Sequence, residues 1–255
     1  MRMKFINLFT KKVSTLSCYY VYLLLFVLFS IQPLNAQQKE ISFERVSIEQ
    51  GLSQSTVHSI IQDKAGFIWV ATEDGLNRYD GHSFIIYRNE RDNKTSISNN
   101  QVRTLLQDKN GTIWAGTGNG LSALNLIYDY KNKIYKEGFY NFFNIPNDTS
   151  SLCDNNIRCL YEDKYGVVWI GTTSGLNKSV TNSKNNNDEN YLTKIKFTQS
   201  LFNNNFNELI SKEFISSITE DGNGNLWFGT MGKGVIVYNR KTGTVKNYKR
   251  EEDNT

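Results

Sequence analysis

The 255-residue sequence contains only two histidines and three cysteines, and these low numbers limit the chemistry that it can support. His58 and His82 stand at unrelated places in the repeating pattern described below, and neither has a sequence neighbour that would complete a metal site. The sequence also shows no Ser-His-Asp set and no His/Cys cluster. We therefore predict no catalytic residue, no metal ligand and no cofactor in this chain.

The sequence also lacks an apolar run long enough for a membrane-spanning helix, which needs about 20 residues. Its uncharged run from Tyr19 to Ile31 has 13 residues and follows a segment whose four charges are all positive. That layout is typical of a secretory signal peptide, so we expect a signal peptide over 1–36 with cleavage after Ala36. An uncleaved anchor is the alternative, because Leu34 occupies a position where cleavage sites prefer a small residue.

An excess of charge of one sign is missing from the exported part of the chain. The formal net charge of +4 equals the four positive charges of the signal peptide, so the remainder is close to neutral. Nucleic acids and anionic membranes attract clustered positive faces, and no such cluster is visible. We therefore expect no nucleic-acid contact by this chain.

Two cysteines, Cys153 and Cys159, remain after export. On an extended chain they would be about 20 Å apart, beyond disulfide reach, so they are not bridged unless the chain turns back between them. Each occupies a position that holds Ser or Thr in the other copies of the repeat. Both are interpreted as small filling residues and not as nucleophiles.

A fourfold repeat is the main feature of the sequence, and all four tryptophans lie in it. In each copy Asp, Gly, Trp and Thr keep the same offsets, and Gly-Leu or Gly-Val follows. The copies start 45, 55 and 58 residues apart, a spacing typical of propellers or solenoids. The signature residues are Asp63, Gly66, Trp69, Thr72, Asp108, Gly111, Trp114, Thr117, Asp163, Gly166, Trp169, Thr172, Asp221, Gly224, Trp227 and Thr230.

Each repeat predicts four short strands separated by turns. In the first copy, Val57–Gln62 and Phe67–Ala71 are rich in β-branched and aromatic residues, and a turn at Asp63–Gly66 separates them. A third strand begins at Gly75, and Asp80-Gly81 is a hairpin signal before a fourth over Ser83–Tyr87. No segment keeps a 3.6-residue apolar period, which disfavours an α-solenoid. The predicted fold is all-β, a β-propeller of about four four-stranded blades in an incomplete ring.

The repeat also predicts the organisation of the domain. We expect a strand within 37–51 that would close the ring, followed by blades over 52–96, 97–151, 152–209 and 210–255. The extra length of the second and third copies falls at 125–146 and 177–207, and Asn182–Asn190 reads as a polar loop. A four-bladed ring that closes on itself is the alternative.

The unit V-x-x-I-x-x-D-x-x-G-x-x-W-x-[GA]-T, followed by x-x-G-L, resembles the two-component regulator propeller repeat over 41–255. The start at Phe43–Ser53 is also similar to the beginning of such sensors. The resemblance implies the periplasmic sensor of a hybrid histidine kinase, chiefly of Bacteroidetes, with two propellers of about seven blades, a connector, a membrane helix and cytoplasmic kinase, receiver and DNA-binding modules. The sequence contains no counterpart of the later modules, so we expect a non-enzymatic N-terminal fragment.

The leading functional hypothesis is a sensory module in the periplasm that binds an extracellular small ligand, glycan-derived by the resemblance. Its partners would be the missing sensor and kinase parts of the same system, with homodimerisation through the full sensor. An exported protein-interaction scaffold is an alternative, because propellers also serve that role. A propeller lyase or hydrolase is a weaker one, because the two histidines occupy unrelated positions.

The residues after each repeated Thr vary while the surrounding frame stays constant, which is typical of recognition loops on a scaffold. From these loops we predict ligand contacts by Glu73, Asp74, Asn119, Ser174 and Lys233, with simple exposed turns as the alternative. The tryptophans are interpreted as inter-blade core and not as stacking platforms, because each has the same place in its strand. The repeated aspartates are interpreted as turn caps and not as catalytic groups or calcium ligands.

Overall fold

A computed structural model of the chain describes residues 20, 22–24, 26, 42–129, 134–181, 191–199 and 204–249. The predicted signal peptide over 1–36 lies almost wholly outside these residues, and the Asn-rich segment at 182–190 lies wholly outside them. The chain divides into two compact units, Met1–Arg45 and Val46–Thr255, and all the sheets belong to the second. Within the described ranges, none of the helices combines the length and the hydropathy that a membrane span requires.

The first repeat folds into one antiparallel sheet of four strands in sequence order. These are β1 (Val57–Gln62), β2 (Ile68–Thr72), β3 (Gly75–Tyr79) and β4 (Phe84–Tyr87). The turn between β1 and β2 contains Gly66 at φ +94°, a conformation that a side chain disfavours. Strand β2 begins one residue later than predicted, and β3 begins at the predicted glycine.

The same order recurs in three further sheets. They comprise β5 (Val102–Gln107), β6 (Ile113–Thr117), β7 (Gly120–Asp129) and β8 (Ile134–Phe142); β9 (Ile157–Glu162), β10 (Val168–Thr172), β11 (Gly175–Thr181) and β12 (Ile195–Thr198); and β13 (Ile215–Glu220), β14 (Leu226–Thr230), β15 (Val235–Tyr238) and β16 (Val245–Tyr248). The prediction of an all-β propeller fold built of four-stranded blades is confirmed. The extra length of the second repeat extends the β7–β8 hairpin.

One short helix was not predicted. Helix α1 (Asn204–Ile210) precedes the fourth blade and buries Phe206 and Ile210, which lie four residues apart on one face. A single apolar pair is too short a pattern to show a helical period in the sequence. Two 3₁₀ helices, Ile48–Gln50 and Tyr191–Lys194, complete the described elements outside the strands in the second unit.

Successive blades pack face to face, with their first strands in contact as β1 with β5, β5 with β9 and β9 with β13. Between the first two blades, Trp69 and Ala71 of β2 pack with Val102, Leu105 and Ala115 of the second blade. Equivalent clusters join the second blade to the third and the third to the fourth. Trp69, Trp114 and Trp169 are each at most 2% exposed as a result.

A small residue follows each tryptophan by two positions, and in the second and third blades it lies against both the first strand of its own blade and the next blade. A Cβ added at Gly116 would lie 2.6 Å from Ile157 Cγ2, and one added at Gly171 would lie 2.9 Å from Ile215 Cγ2. Both distances are shorter than those that real Cβ atoms show. Glycine at these positions therefore lets the neighbouring sheets pack closely together.

Each repeated aspartate accepts a hydrogen bond from the tryptophan six residues later. The Trp Nε1 to Asp Oδ2 distances are 2.7, 2.8, 2.8 and 3.0 Å in the four blades. The other carboxylate oxygen caps the turn; in the first blade Asp63 Oδ1 accepts from the backbone N–H groups of Ala65 (2.9 Å) and Phe67 (3.0 Å). One side chain thus holds both the turn and the core tryptophan.

The segment before β1 contains no strand within described residues 42–51, and Phe43 is 92% exposed. The predicted ring-closing strand would pair with strands from outside this chain, so it stays a prediction, as do the blade boundaries. On β1, Ile60 is 61% exposed, whereas the equivalent Leu105 on β5 is 6% exposed because the first blade covers it.

We expect Trp114→Ala to destabilise the fold by about 3–5 kcal/mol, as large-to-small core changes do. Trp227 stacks on Tyr248 and is half-buried, so Trp227→Ala should cost clearly less. Urea unfolding followed by circular dichroism measures both. Equal losses in the two variants would contradict a core formed by blade-to-blade packing.

We expect the Asp221 carboxylate to make part of the folding stability sensitive to acid. The indole N–H of Trp227 and the backbone N–H of Asn225 lower its pKa from an ordinary value of 3.8 to about 2. Because the folded pKa is the lower one, this stabilisation is present above about pH 4 and is lost as the pH falls towards 2. Urea midpoints between pH 5 and 2 should therefore fall less in Asp221→Asn than in the unmodified chain, and parallel curves would contradict the assignment.

Candidate functional site

Two edges of the sheets differ in the turns that they carry. Because the strands alternate in direction, the β1–β2 and β3–β4 turns share one edge, and the β2–β3 turn shares the other with the connection to the next blade. The second edge, called the loop edge, contains Thr72–Gly75, Thr117–Gly120, Thr172–Gly175 and Thr230–Gly234. All five predicted contact residues, Glu73, Asp74, Asn119, Ser174 and Lys233, lie on these turns.

The repeated threonine shapes each loop-edge turn. Thr72 Oγ1 donates to the Gly75 carbonyl (2.9 Å) and accepts from the Asp74 backbone N–H (3.1 Å). The Gly75 N–H donates to the carbonyl of Asn100 (2.7 Å) in the connection to the second blade. Since these bonds use the backbone and the threonine, the intervening side chains are free to vary.

Both acidic residues of the first loop contact protein groups in this structure. Glu73 pairs with His58 and accepts a hydrogen bond from Gln101 Nε2 (2.6 Å). The hydrogen bond from Gln101 has the larger effect on the pKa of Glu73, and both hydrogen bonds lower it. Asp74 pairs with Arg88 at 2.9 Å. These contacts place Glu73 and Asp74 within a polar network at the surface.

The remaining predicted residues differ in their surroundings. Lys233 Nζ pairs with Glu213 (2.9 Å) and donates to the Leu209 carbonyl (3.1 Å). The side chain of Asn119 is exposed, and its backbone N–H donates to Thr117 Oγ1 (3.1 Å). Ser174 lines a cavity.

The cavity has a volume of about 600 Å³ and lies between the third blade and helix α1. Its polar lining residues are Cys153, Ser174, Gln199, Asn207, Ser211 and Lys212. Hydroxyl, amide and ammonium groups together can hydrogen-bond a polar small molecule. Sequence reasoning found only Ser174 among the candidate contacts, because Asn207, Ser211 and Lys212 reach the cavity from helix α1 and the turn after it, which were not predicted. The extra length of the third repeat was the one available signal.

The cysteines occupy the small-residue positions expected of them, and both are free. Cys153 Sγ lies 3.4 Å from Thr172 Oγ1. At the equivalent position of the first blade, Ser53 Oγ lies 2.8 Å from Thr72 Oγ1. Burial raises the pKa of Cys153 to about 11 and that of Cys159 to about 12. Among the described residues, no group of three His, Cys, Asp or Glu side chains is arranged to hold a metal.

Four segments of the chain match the family described as two component regulator propeller: residues 51–74, 96–119, 151–174 and 208–232. Each match ends within the variable turn at the loop edge. The chain is also 34% identical over 249 residues to "Histidine kinase P4" of Formosa agariphila, which covers 83% of this chain. The chain spans only 18% of the length of that relative.

Two solved structures of B. thetaiotaomicron share the fold. One is the extracellular domain of a protein described as a hybrid two component system, with a TM-score of 0.63 and 29% identity over 81% of this chain. The other is the extracellular domain of a protein described as a one component system, with a TM-score of 0.58 and 26% identity over 81% of this chain. The chain spans 26% and 27% of those two domains.

The raised thiol pKa values predict slow thiol–disulfide exchange at the propeller cysteines. At pH 8 a pKa of about 11 leaves roughly 100-fold less thiolate than the ordinary value, and the thiolate is the reactive form. In a Cys18→Ser background, a colorimetric disulfide reagent should therefore react slowly with the native protein and rapidly in urea. A thiol that reacts equally fast in both conditions would contradict its burial.

Proposed function

Since the chain belongs to the two-component regulator propeller family, we propose that it is part of the extracytoplasmic ligand-sensing region of a hybrid two-component system. The four repeat matches carry this proposal. Two further observations support it: the curated relative is a histidine kinase, and the similar solved structures are extracellular domains of bacterial signalling proteins.

The chain would be exported through the signal peptide predicted at 1–36 and would act in the periplasm. Its catalytic partners would be kinase modules elsewhere in the same system, because the relative of which this chain spans 18% is described as a histidine kinase. A dimer of the full sensor would couple two such regions. The short span of the chain relative to histidine kinase P4 is consistent with this division of labour.

We propose that the ligand is recognised at the loop edge through the predicted residues Glu73, Asp74, Asn119, Ser174 and Lys233. The cavity beside Ser174 supports this choice, because its volume of about 600 Å³ is in the usual range for small-molecule sites. Its lining is rich in hydrogen-bonding groups, which suits a glycan-derived ligand. The Thr72-type turn explains how loops of different sequence are presented on one frame.

The test is performed in the source strain with the whole gene. Deletion should abolish the transcriptional response to at least one defined glycan, and Ser174→Trp should reduce it because the indole would fill the cavity. Lys241→Trp, an exposed change on the turn between β15 and β16 at the opposite edge, is the matched control and should leave the response intact. An unchanged response to every glycan after deletion would overturn the sensor role and favour a scaffold.

A further inference from the structure

Two arginines occupy the same position on neighbouring innermost strands. Arg103 is the second residue of β5, and Arg158 is the second residue of β9. His58 and Ser216 hold the equivalent position in the first and fourth blades. Since first strands of successive blades contact one another, these side chains lie around the inner mouth of the propeller at the loop edge.

These arginines differ from the other half-buried arginines in their partners. Arg78 pairs with Glu137, and Arg240 pairs with Asp163. Within the described part of the chain, neither Arg103 nor Arg158 has a carboxylate at ion-pair distance.

Neutral groups hold the two guanidinium groups instead. Arg103 donates to the side-chain oxygens of Asn156 and Gln101. Arg158 lies over the ring of Phe214, with its Cζ 4.8 Å from the ring centroid. Two positive charges on adjacent strands therefore stand in a half-buried site, and no carboxylate among the described residues forms an ion pair with either.

Glu73, which acts on Arg103 electrostatically, and Asp154, four residues before Arg158 in the chain, already have other partners. Glu73 binds His58 and Gln101, and Asp154 accepts from Thr173 Oγ1 and from the Asn156 backbone N–H. Burial, followed by the charge of Arg158, lowers the pKa of Arg103, and Glu73 opposes this effect only in part. An added anion would relieve the repulsion between the two arginines.

We propose that Arg103 and Arg158 bind an anionic group, a carboxylate or a sulfate, of the sensed ligand at this inner mouth. The planar guanidinium fork suits such groups because it can donate two parallel hydrogen bonds to them. The inference rests on the proposed sensing function and adds a ligand class and a second contact area to it. His58 and Glu73 at the adjacent position would limit how far the anion can extend towards the first blade.

The experiment follows the arginine Nε–H signals of the 255-residue chain by NMR during titration with galacturonate, galactose and inorganic sulfate. Galacturonate should shift the signals of Arg103 and Arg158 saturably, and galactose should not. Arg103→Gln and Arg158→Gln should each weaken binding about tenfold or more. Arg91→Gln removes the same charge from an exposed loop and should leave the affinity unchanged.

A further variant and the comparison of the two anions distinguish the possible outcomes. Arg158→Lys keeps the charge but loses the fork, so it should bind less tightly than the unmodified chain and more tightly than Arg158→Gln. Equal affinity for sulfate and galacturonate would identify free oxyanions as the ligand, and tighter galacturonate binding would identify acidic sugars. No shift with either anion, or the same affinity in the folded double Gln variant, would overturn the anion site.

The two proposals can fail independently. Binding of a neutral sugar with no effect of the arginine variants would contradict the anion site and leave the sensing role in place. Anion binding that depends on Arg103 and Arg158, together with an unchanged transcriptional response after gene deletion, would contradict the sensing role alone.

Discussion

The hydrogen bond from each tryptophan indole to the aspartate six residues before it is the interaction on which each blade depends. Burial of a tryptophan requires a partner for its N–H, and a turn after β1 requires acceptors for its backbone N–H groups. A single carboxylate meets both needs, as Asp163 does for Trp169 (2.8 Å), Tyr165 N (2.9 Å) and Val167 N (3.0 Å). The repeat therefore retains Asp and Trp at this spacing in all four copies.

Packing between blades depends on this Asp–Trp hydrogen bond. It also depends on contacts at the edge opposite the loop edge, where the turns that contain the repeated aspartates lie. Lys64 Nζ donates to the carbonyl of Lys109 (2.6 Å), and Lys109 Nζ donates to that of Lys164 (2.7 Å). Lys164 in turn pairs with Glu220 at 2.9 Å. This edge thus repeats its lysine-to-carbonyl contact between the first three blades. It forms a regular frame on which the opposite edge can vary.

The loop edge is where variation has chemical consequences. Turns held by a threonine present different side chains in each blade, and the connections between blades add the network around Glu73 and the cavity beside helix α1. The inner strands supply Arg103 and Arg158, neither of which has a carboxylate at ion-pair distance in the described part of the chain. A rigid frame with variable polar groups at one edge suits recognition of a small polar or anionic molecule.

The sequence by itself determined the all-β propeller fold, the starts of the third strands in the first three blades and the place of each turn, because a repeated signature reports local backbone requirements four times over. It also led to the five loop residues, whose role as ligand contacts stays a proposal. Only the tertiary structure revealed helix α1, the cavity and the unequal pairing of the arginines. These depend on contacts between residues far apart in the chain, such as Arg103 with Asn156, which no local pattern encodes.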